Sequence, residues 1–423
     1  MPNEQCEYDS NLDKYKTAHQ NKKHCCLLFN MSKVNYMNIC LVGDAYPPEG
    51  IGGIGTYLKN LANALAHEGN KVFVITKTSS EEKVEQVNEN LIIYWKHVKY
   101  IPLLERFFPG LGWCLQVNKL CNQLIKSKGI DIIEFPNWES PGLIFQIFNK
   151  RFPNIVRTHT PFFETLKLDF EQPTFSQRMM CKMEELSCKL SHGLVSSTRA
   201  HAKFIAQEYD LLLSDFSIIP LGIEPKLEVK RLDTEFTKTL LYVSRLENRK
   251  GTTTLLSVVP KLVSVFPDLK LNIIGKDRPH APGNLFFRDY FNQEYPEYKE
   301  NVNFLGFVSD DELDRYYKEA DIFVVPSVYE SFGLIYIEAM QYALPIVATT
   351  GGGIPEVVEN EVAGLLAAPD NKNDLEEKLM NLLTDSKLRS KLGKCGQELF
   401  EKKFTAEAMA ARTLTNYIKV ANK

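Results

Sequence analysis

The sequence predicts two Rossmann-like, doubly wound α/β domains facing an interdomain cleft. Three observations carry the prediction. From Asn38 onward, short apolar runs alternate with longer helical patterns, the order produced when helices cross over parallel strands. The alternation halts at the charged segment "KLEVKRLDTEFTK" and starts afresh at "TLLYVSRL". At 423 residues the chain is also long for one hydrophobic core, so two domains of about 200 residues each are expected.

Residues 1–36 are polar and lysine-rich, without the apolar core of a signal peptide. They read as a disordered extension, or as residues upstream of a start at Met37. The first domain spans 37–222. It opens with the strand "NICLVG" and the amphipathic helix "GTYLKNLANALAHEGN", which stops at Gly69-Asn70. Strands follow at "KVFVIT", "LIIYW", "DIIEF", "NIVRTH" and "GLVSS", with the apolar helix "PGLIFQIF" between the fourth and fifth strands. The long helix "TFSQRMMCKMEELSCKLS" precedes "GLVSS", and "FSIIPLGIEP" closes the domain with Pro and Gly punctuation. A linker occupies 223–237.

The second domain spans 238–400, with strands at "TLLYVS", "KLNIIG", "VNFLG", "IFVVPS", "LPIVAT" and "GLLAAP". Helices at "TTLLSVVPKLVSVFP" and "DDELDRYYKEA" lie between them. The remaining segment, 401–423, ends in the helix "AEAMAARTLTNYIKVA", expected to cross back to the first domain. Parallel sheets bind ligands at the carboxyl ends of their strands, which places a small-molecule site in the cleft.

Composition narrows the function classes. Net charge is −3, from 50 Lys and Arg against 53 Asp and Glu, so no basic excess points to nucleic acid or a membrane. The nine cysteines are scattered and never in C-x-x-C spacing, which argues against a disulfide framework or zinc site and for a reducing cytoplasm. No apolar run approaches the ~20 residues that span a bilayer.

Five stretches carry chemistry. In "PPEGIGGIGTYL", Gly50, Gly52, Gly53 and Gly55 join a strand to a helix. Such a loop either turns tightly for packing or points N–H groups at an anion. The following strand ends in Lys77 and not in an acid, which speaks against a nicotinamide cofactor. In "YVSRLENRKG", Arg245 and Lys250 flank a helix start, either as a solvated basic turn or as cations for a diphosphate. "VVPSVYESFGLIYIEAM" sets Glu330 and Glu338 on either side of Ser331-Phe332-Gly333, followed by the glycine turn Gly351 to Gly353. A helix beginning near Phe332 would aim its first N–H groups into the same cleft, unless Ser331 merely caps it. Glu338, among Leu334, Ile335 and Ile337, needs a partner if buried, and a ribose diol would be one.

In "NIVRTHTPFFE", His159 follows a strand, either as a structural histidine or as a site residue. Glu134 and Glu139 of "EFPNWE" read as loop charges in preference to cleft-lining groups. In "YWKHVKYIPLLERFFPGLGW", basic and aromatic residues interleave, which fits packing more often than a peripheral membrane contact.

Taken in order, these stretches resemble the family-4 glycosyltransferases, retaining enzymes of the GT-B fold. The resemblance runs from Met37 to the C-terminus. "GGIGTYLKNLANALAHEGNKV" is similar to the family's glycine loop and helix, and "SRLENRKG" to its phosphate-binding pair. "IIPLGIE" stands where the family usually writes Asn and Asp, and "YESFGLIYIEAM" matches its E-x7-E signature. The resemblance implies an acceptor-side first domain and a second domain that binds the nucleotide sugar. It assigns Arg245 and Lys250 to the departing diphosphate, Glu330 to sugar hydroxyls, and Glu338 to the ribose. The N–H groups of Phe332, Gly333 and Leu334 would lie near sugar and diphosphate, with Gly53 closing from the opposite loop. His159 would sit near the C6 hydroxyl, and Gly275, Phe307 and Val308 near the base.

The implied reaction moves a hexose from a UDP-, GDP- or ADP-sugar to a glycan, lipid-linked or small acceptor, without cofactor or metal. The implied partners are that donor and acceptor. An epimerase or phosphorylase on the same fold, or a non-catalytic nucleotide-sugar binder, are the competing readings. The expected location is cytoplasmic, with peripheral membrane contact as the variant.

Overall fold

The computed structural model describes residues 36–50, 52–169, 173–226 and 236–423. The expected extension at 1–36, but for its last residue, and residues 227–235 of the expected linker lie outside the described residues. Two mostly parallel sheets carry the molecule. The first contains β1 (Asn38–Gly43), β2 (Lys71–Lys77), β3 (Lys83–Asn88), β4 (Leu91–Lys96), β5 (Ile132–Pro136), β6 (Asn154–Thr158), β7 (Gly193–Ser196) and β8 (Phe216–Ile218). Their order is β3-β4-β2-β1-β5-β6-β7-β8, all parallel except the β3–β4 pair. The second holds β9 (Thr239–Val243), β10 (Lys270–Ile274), β11 (Val302–Gly306), β12 (Ile322–Val324), β13 (Ile346–Thr349) and β14 (Gly364–Ala367). Its order is β11-β10-β9-β12-β13-β14, parallel throughout.

The central strands are buried on both faces, which is why "NICLVG" and "IFVVPS" read as continuous apolar runs. β3 escapes the sequence reading for the opposite reason. "KVEQVN" is an edge strand exposed along nearly its whole length, and polar side chains suit such an edge. The helix Leu111–Lys128 is likewise unmarked by the sequence, because its first turn belongs to the aromatic stretch. That stretch divides in the structure: Trp95 and Trp113 enter the core, while Tyr100, Leu104, Phe107 and Phe108 are exposed.

The helix Ala406–Ala421 packs its Met409, Ala410, Thr413 and Tyr417 face against the helix Gly53–His67 and the first sheet. Thr405 caps it, accepting from the Ala408 N–H at 3.1 Å. Beneath it lies a buried polar knot. Glu134 is 3% exposed inside β5, a correction to its reading as a loop charge. It accepts from the Tyr57 hydroxyl, from Arg157 Nε at 3.0 Å and from the Tyr417 hydroxyl at 2.8 Å. Arg157 lies 4.7 Å from the Tyr57 ring and donates to Thr413 Oγ1 at 3.2 Å. A carboxylate is held at this depth because each oxygen is claimed by a donor.

Both sheets reverse direction once. In the first, the chain winds one way from β1 to β2 and the other way from β5 to β6, so β1 and β5 are the central neighbours. In the second, β9 and β12 play that part. Loops leaving such a pair diverge and open a crevice at the carboxyl ends.

Candidate active site at the seam of the two sheets

The β9–β12 crevice gathers most of the charged residues singled out in the sequence. After β9 the chain makes a short 3-10 turn, Asn248–Lys250, and enters the helix Thr252–Val265 through Gly251. Gly251 has φ 68°, and a Cβ there would stand 2.0 Å from the Pro326 carbonyl oxygen. Only glycine lets this turn press against the loop after β12. That contact brings Lys250 to Glu330.

Glu330 is buried. It accepts from Ser327 Oγ at 2.8 Å and pairs with the Lys250 ammonium, while Arg249 Nη1 stands 3.8 Å from its second oxygen. Burial pushes its carboxyl up, but Lys250, Arg249 and Ser327 outweigh burial and hold it below the usual carboxylate value. Burial holds Lys250 below the ordinary lysine value, with Glu330 opposing. The loop is fixed by its backbone: Val328 N–H donates to the Arg249 carbonyl at 2.8 Å, and Gly353 N–H to the Glu330 carbonyl at 2.7 Å.

Arg245 is half-exposed, with Nη1 3.2 Å from Glu247 Oε1. Arg249 and Arg278 each approach the same Glu247 to 3.8 Å. Arg249 and Arg278 were not singled out by the sequence reading, although Arg249 lies inside the quoted "RLENRKG". Gly275, Leu246, Asp277, Phe286, Phe304 and Gly306 line an adjoining cavity of about 380 Å3. Phe307 is 75% exposed just past that wall, and Val308 packs half-buried on the core. Glu338 accepts from the Tyr317 hydroxyl at 3.1 Å, and burial raises its carboxyl.

The helix expected to begin near Phe332 begins at Leu334, with Gly333 as its N-cap at φ 88°. Ser331 does not cap it. Phe332 is instead buried against the Phe404 ring, 5.9 Å between centroids. The Ser331 carbonyl accepts from Thr198 Oγ1 at 2.8 Å, one of several contacts across the seam. Glu356 accepts from the Arg199 and Ala200 N–H groups, both at 2.7 Å, at the first turn of the helix Arg199–Tyr209. A Cβ on Gly53 would lie 3.8 Å from Leu334 Cδ1, so the glycine loop faces the start of the helix Leu334–Gln341.

His159 approaches from the first sheet. Its N–H donates to Asn137 Oδ1 at 2.7 Å, and its ring sits 5.2 Å from that of Tyr57. Burial, then Arg157 and His201, lower its pKa to about 3, so the imidazole is neutral and has a donor and an acceptor edge. Glu164, five residues on and unremarked in the sequence reading, is buried with Oε2 3.9 Å from His201 Nε2. Burial pushes its carboxyl up to about 7, against Arg249. The cluster thus combines cations and helix N–H groups suited to a diphosphate with buried acceptors suited to hydroxyls.

Residues 225–399 match the model of the glycosyl transferases group 1, and residues 51–227 that of Glycosyltransferase Family 4. The chain is 26% identical over 399 residues to a glycosyltransferase of Methanocaldococcus jannaschii, covering 90% of this chain and 98% of that protein. It is 26% identical over 412 residues to the alpha-monoglucosyldiacylglycerol synthase of Acholeplasma laidlawii, covering 92% and 98%. Its fold is similar to that of sucrose-phosphate synthase from Thermosynechococcus elongatus, at TM-score 0.72 and 23% identity over 90% of this chain and 98% of that one.

Proposed function

We propose, on the premise that this chain belongs to the family-4 glycosyltransferases and has their GT-B fold, that it transfers a hexose from a nucleoside diphosphate sugar with retention at the anomeric carbon. The observation that carries the reading is the Lys250–Glu330–Arg249 cluster at the carboxyl ends of β9 and β12, with Gly53 facing it through Leu334. Breaking the bond to the diphosphate builds positive character on the sugar and negative charge on the departing phosphate. Preorganised cations meet that charge without reorganisation, and they act most strongly where water is excluded.

In this reading Arg245 and Lys250 hold the diphosphate, and their charge takes the part that a divalent metal would otherwise play. The N–H groups at Phe332, Gly333 and Leu334 lie along the same path. Glu330 binds sugar hydroxyls and steadies Lys250 from behind. Glu338 accepts from the ribose diol beside Tyr317. The base rests by Gly275, Phe307 and Val308, where the adjoining cavity supports the assignment. His159, neutral, serves the C6 hydroxyl. The departing phosphate takes the acceptor proton on the same face, and no side chain acts as nucleophile.

The acceptor is a saccharide or a lipid-linked sugar, reached from the cytoplasm. The exposed Tyr100, Leu104, Phe107 and Phe108 ridge supports peripheral contact with a membrane. No helix among the described residues is long and apolar enough to cross one.

Thermal stabilisation by a panel of UDP-, GDP- and ADP-sugars tests the reading. A donor at 100 times its dissociation constant adds about 2.7 kcal/mol. Release of nucleoside diphosphate that depends on an added acceptor then marks transfer over epimerisation. Failure of every nucleotide sugar to bind would overturn the proposal.

A further inference from the structure

The loops after β9 and β10 are joined at their roots. The Ser244 N–H donates to the Ile274 carbonyl and the Leu246 N–H to the Lys276 carbonyl, both at 3.0 Å. Gly275 permits the approach: its φ is 144°, and a Cβ there would stand 1.8 Å from the Ser244 carbonyl oxygen. Arg245 and Arg278, one from each loop, are thereby carried to the same carboxylate, that of Glu247. The acid next to Arg278 in sequence is engaged elsewhere. Asp277 accepts from the first N–H groups of the helix Phe287–Glu294, those of Phe287 at 3.0 Å and Arg288 at 3.2 Å.

Glu247 is the fixed member of this group. The Thr252 hydroxyl clasps its backbone, donating to the Glu247 carbonyl at 3.0 Å and accepting from the Glu247 N–H at 3.3 Å. Thr252 is itself buried, 2.9 Å from the Tyr242 hydroxyl. The Lys250 N–H also donates to the Glu247 carbonyl, at 3.0 Å. Arg249 braces the carboxylate from the side. It stands 3.8 Å from both Glu247 Oε2 and Glu330 Oε2 and donates to the Tyr329 carbonyl at 3.3 Å. The Glu247 side chain is 12% exposed, against 52% for Arg245 and 39% for Arg278, so the acid lies inside and the two guanidiniums open outward. Their chain neighbours Leu246 and Asp277 line the adjoining cavity, which sets both arginines at its rim.

A carboxylate in an anion site ordinarily weakens it, so the place of Glu247 needs a reason. Arg245, Arg249, Lys250 and Arg278 stand against Glu247 and Glu330, four cations against two acids, which leaves two positive charges in excess. A nucleoside diphosphate sugar carries one negative charge on each of its two phosphates and would balance them. Without an acid between them, Arg245 and Arg278 would repel each other and swing into water, and a phosphate would have to gather them again. With Glu247 fixed beneath, each guanidinium keeps outward N–H groups for an anion. We propose that Glu247 is a positioning residue that holds Arg245 and Arg278 as a preorganised pair, and that Arg278 is a further cation on the donor diphosphate. The proposal rests on the nucleoside-diphosphate-sugar reading above and adds two residues to it.

The test is calorimetric titration of the full chain with UDP, GDP and ADP, and of its variants with whichever binds most tightly and with the matching monophosphate. Simple electrostatics and positioning predict opposite signs. Removing a negative charge should tighten an anion, whereas loss of the template should loosen it. The expected result is that Glu247→Ala weakens the diphosphate by about tenfold or more, the scale of a hydrogen bond to a charged group. Glu247→Gln, whose amide oxygen still accepts from a guanidinium, should recover most of that loss. Arg278→Ala leaves Glu247 with its other partners and should also cost about tenfold, with a smaller loss for the monophosphate. It carries the test if Glu247→Ala folds poorly. Glu247→Ala binding the diphosphate as tightly as the unaltered chain, or more tightly, would overturn the positioning role. Undiminished binding by Arg278→Ala would overturn the further cation. Failure of UDP, GDP and ADP to bind the unaltered chain would overturn this proposal together with the reading beneath it, whereas binding that the variants leave unchanged would overturn this proposal alone.

Discussion

The crevices at β1/β5 and at β9/β12 share a topology and differ in charge. Each opens where neighbouring parallel strands send their loops in opposite directions. At β9/β12, Arg245, Arg249, Lys250 and Arg278 face Glu247 and Glu330, an excess of cations. At β1/β5, Lys77 alone faces Asp44 and Glu139, an excess of carboxylates. The fold decides where a ligand enters, and the residues after the strands decide its charge. The same topology thus carries opposite charge in its two crevices.

Breaking the cationic side should have the largest effect. Lys250→Ala should lower kcat/KM for the donor by about 10²–10³-fold, the loss seen when one preorganised electrostatic donor is removed. It also strips Glu330 of its ammonium, so the urea midpoint should fall by the equivalent of about 3 kcal/mol. Adding Glu330→Gln should recover stability but not rate.

Glu338→Gln sharpens the comparison by touching the donor side alone. Nucleoside diphosphate binding, followed by calorimetry, should weaken by roughly tenfold, the scale of one hydrogen bond to a charged group. Undiminished binding would mean that Glu338 does not meet the ribose.

Glu356→Ala would loosen the seam between them. It removes the carboxylate that caps the helix Arg199–Tyr209 from the second sheet's side. The expected cost is about 1 kcal/mol, as for a lost helix cap, with faster hydrogen exchange at the Arg199 and Ala200 amides. Exchange as slow as in the unaltered chain would exclude a role for Glu356 at the seam.

A separate effect concerns pH and needs no substitution. Burial lowers the pKa of His159 and of His201 to about 3, so both stay neutral in the fold while the unfolded chain protonates them near 6.5. Their contribution is fully present above pH 6.5 and is lost as pH falls from there toward 3. The urea midpoint should therefore begin to drop between pH 7 and 6 and fall more steeply below. His201→Gln should flatten that slope, and an unchanged slope would mean that this histidine is protonated in the fold.

Much of this was legible before any coordinates. Alternating apolar runs are a local property, so the α/β class and the succession of strands could be read directly from Met37 onward. Arg245, Lys250, Glu330 and Glu338 could be singled out because short motifs place them at strand-to-helix junctions. β3 could not, since an exposed edge lacks the apolar pattern that marks a strand. The helix expected near Phe332 begins two residues on, at Leu334.

The sequence by itself determined the two-sheet architecture and the family, because periodicity and motif spacing survive in one dimension. Tertiary structure alone decided which charges meet. Glu134 reads as a loop charge until β6 brings Arg157 beside it and the helix Ala406–Ala421 brings Tyr417. Lys77 reads as the absence of an acid until strand order sets it between Asp44 and Glu139, 33 and 62 residues away in sequence. Ion pairs form through space at a few ångströms, and a sequence records neither strand order nor the partner that desolvation makes obligatory.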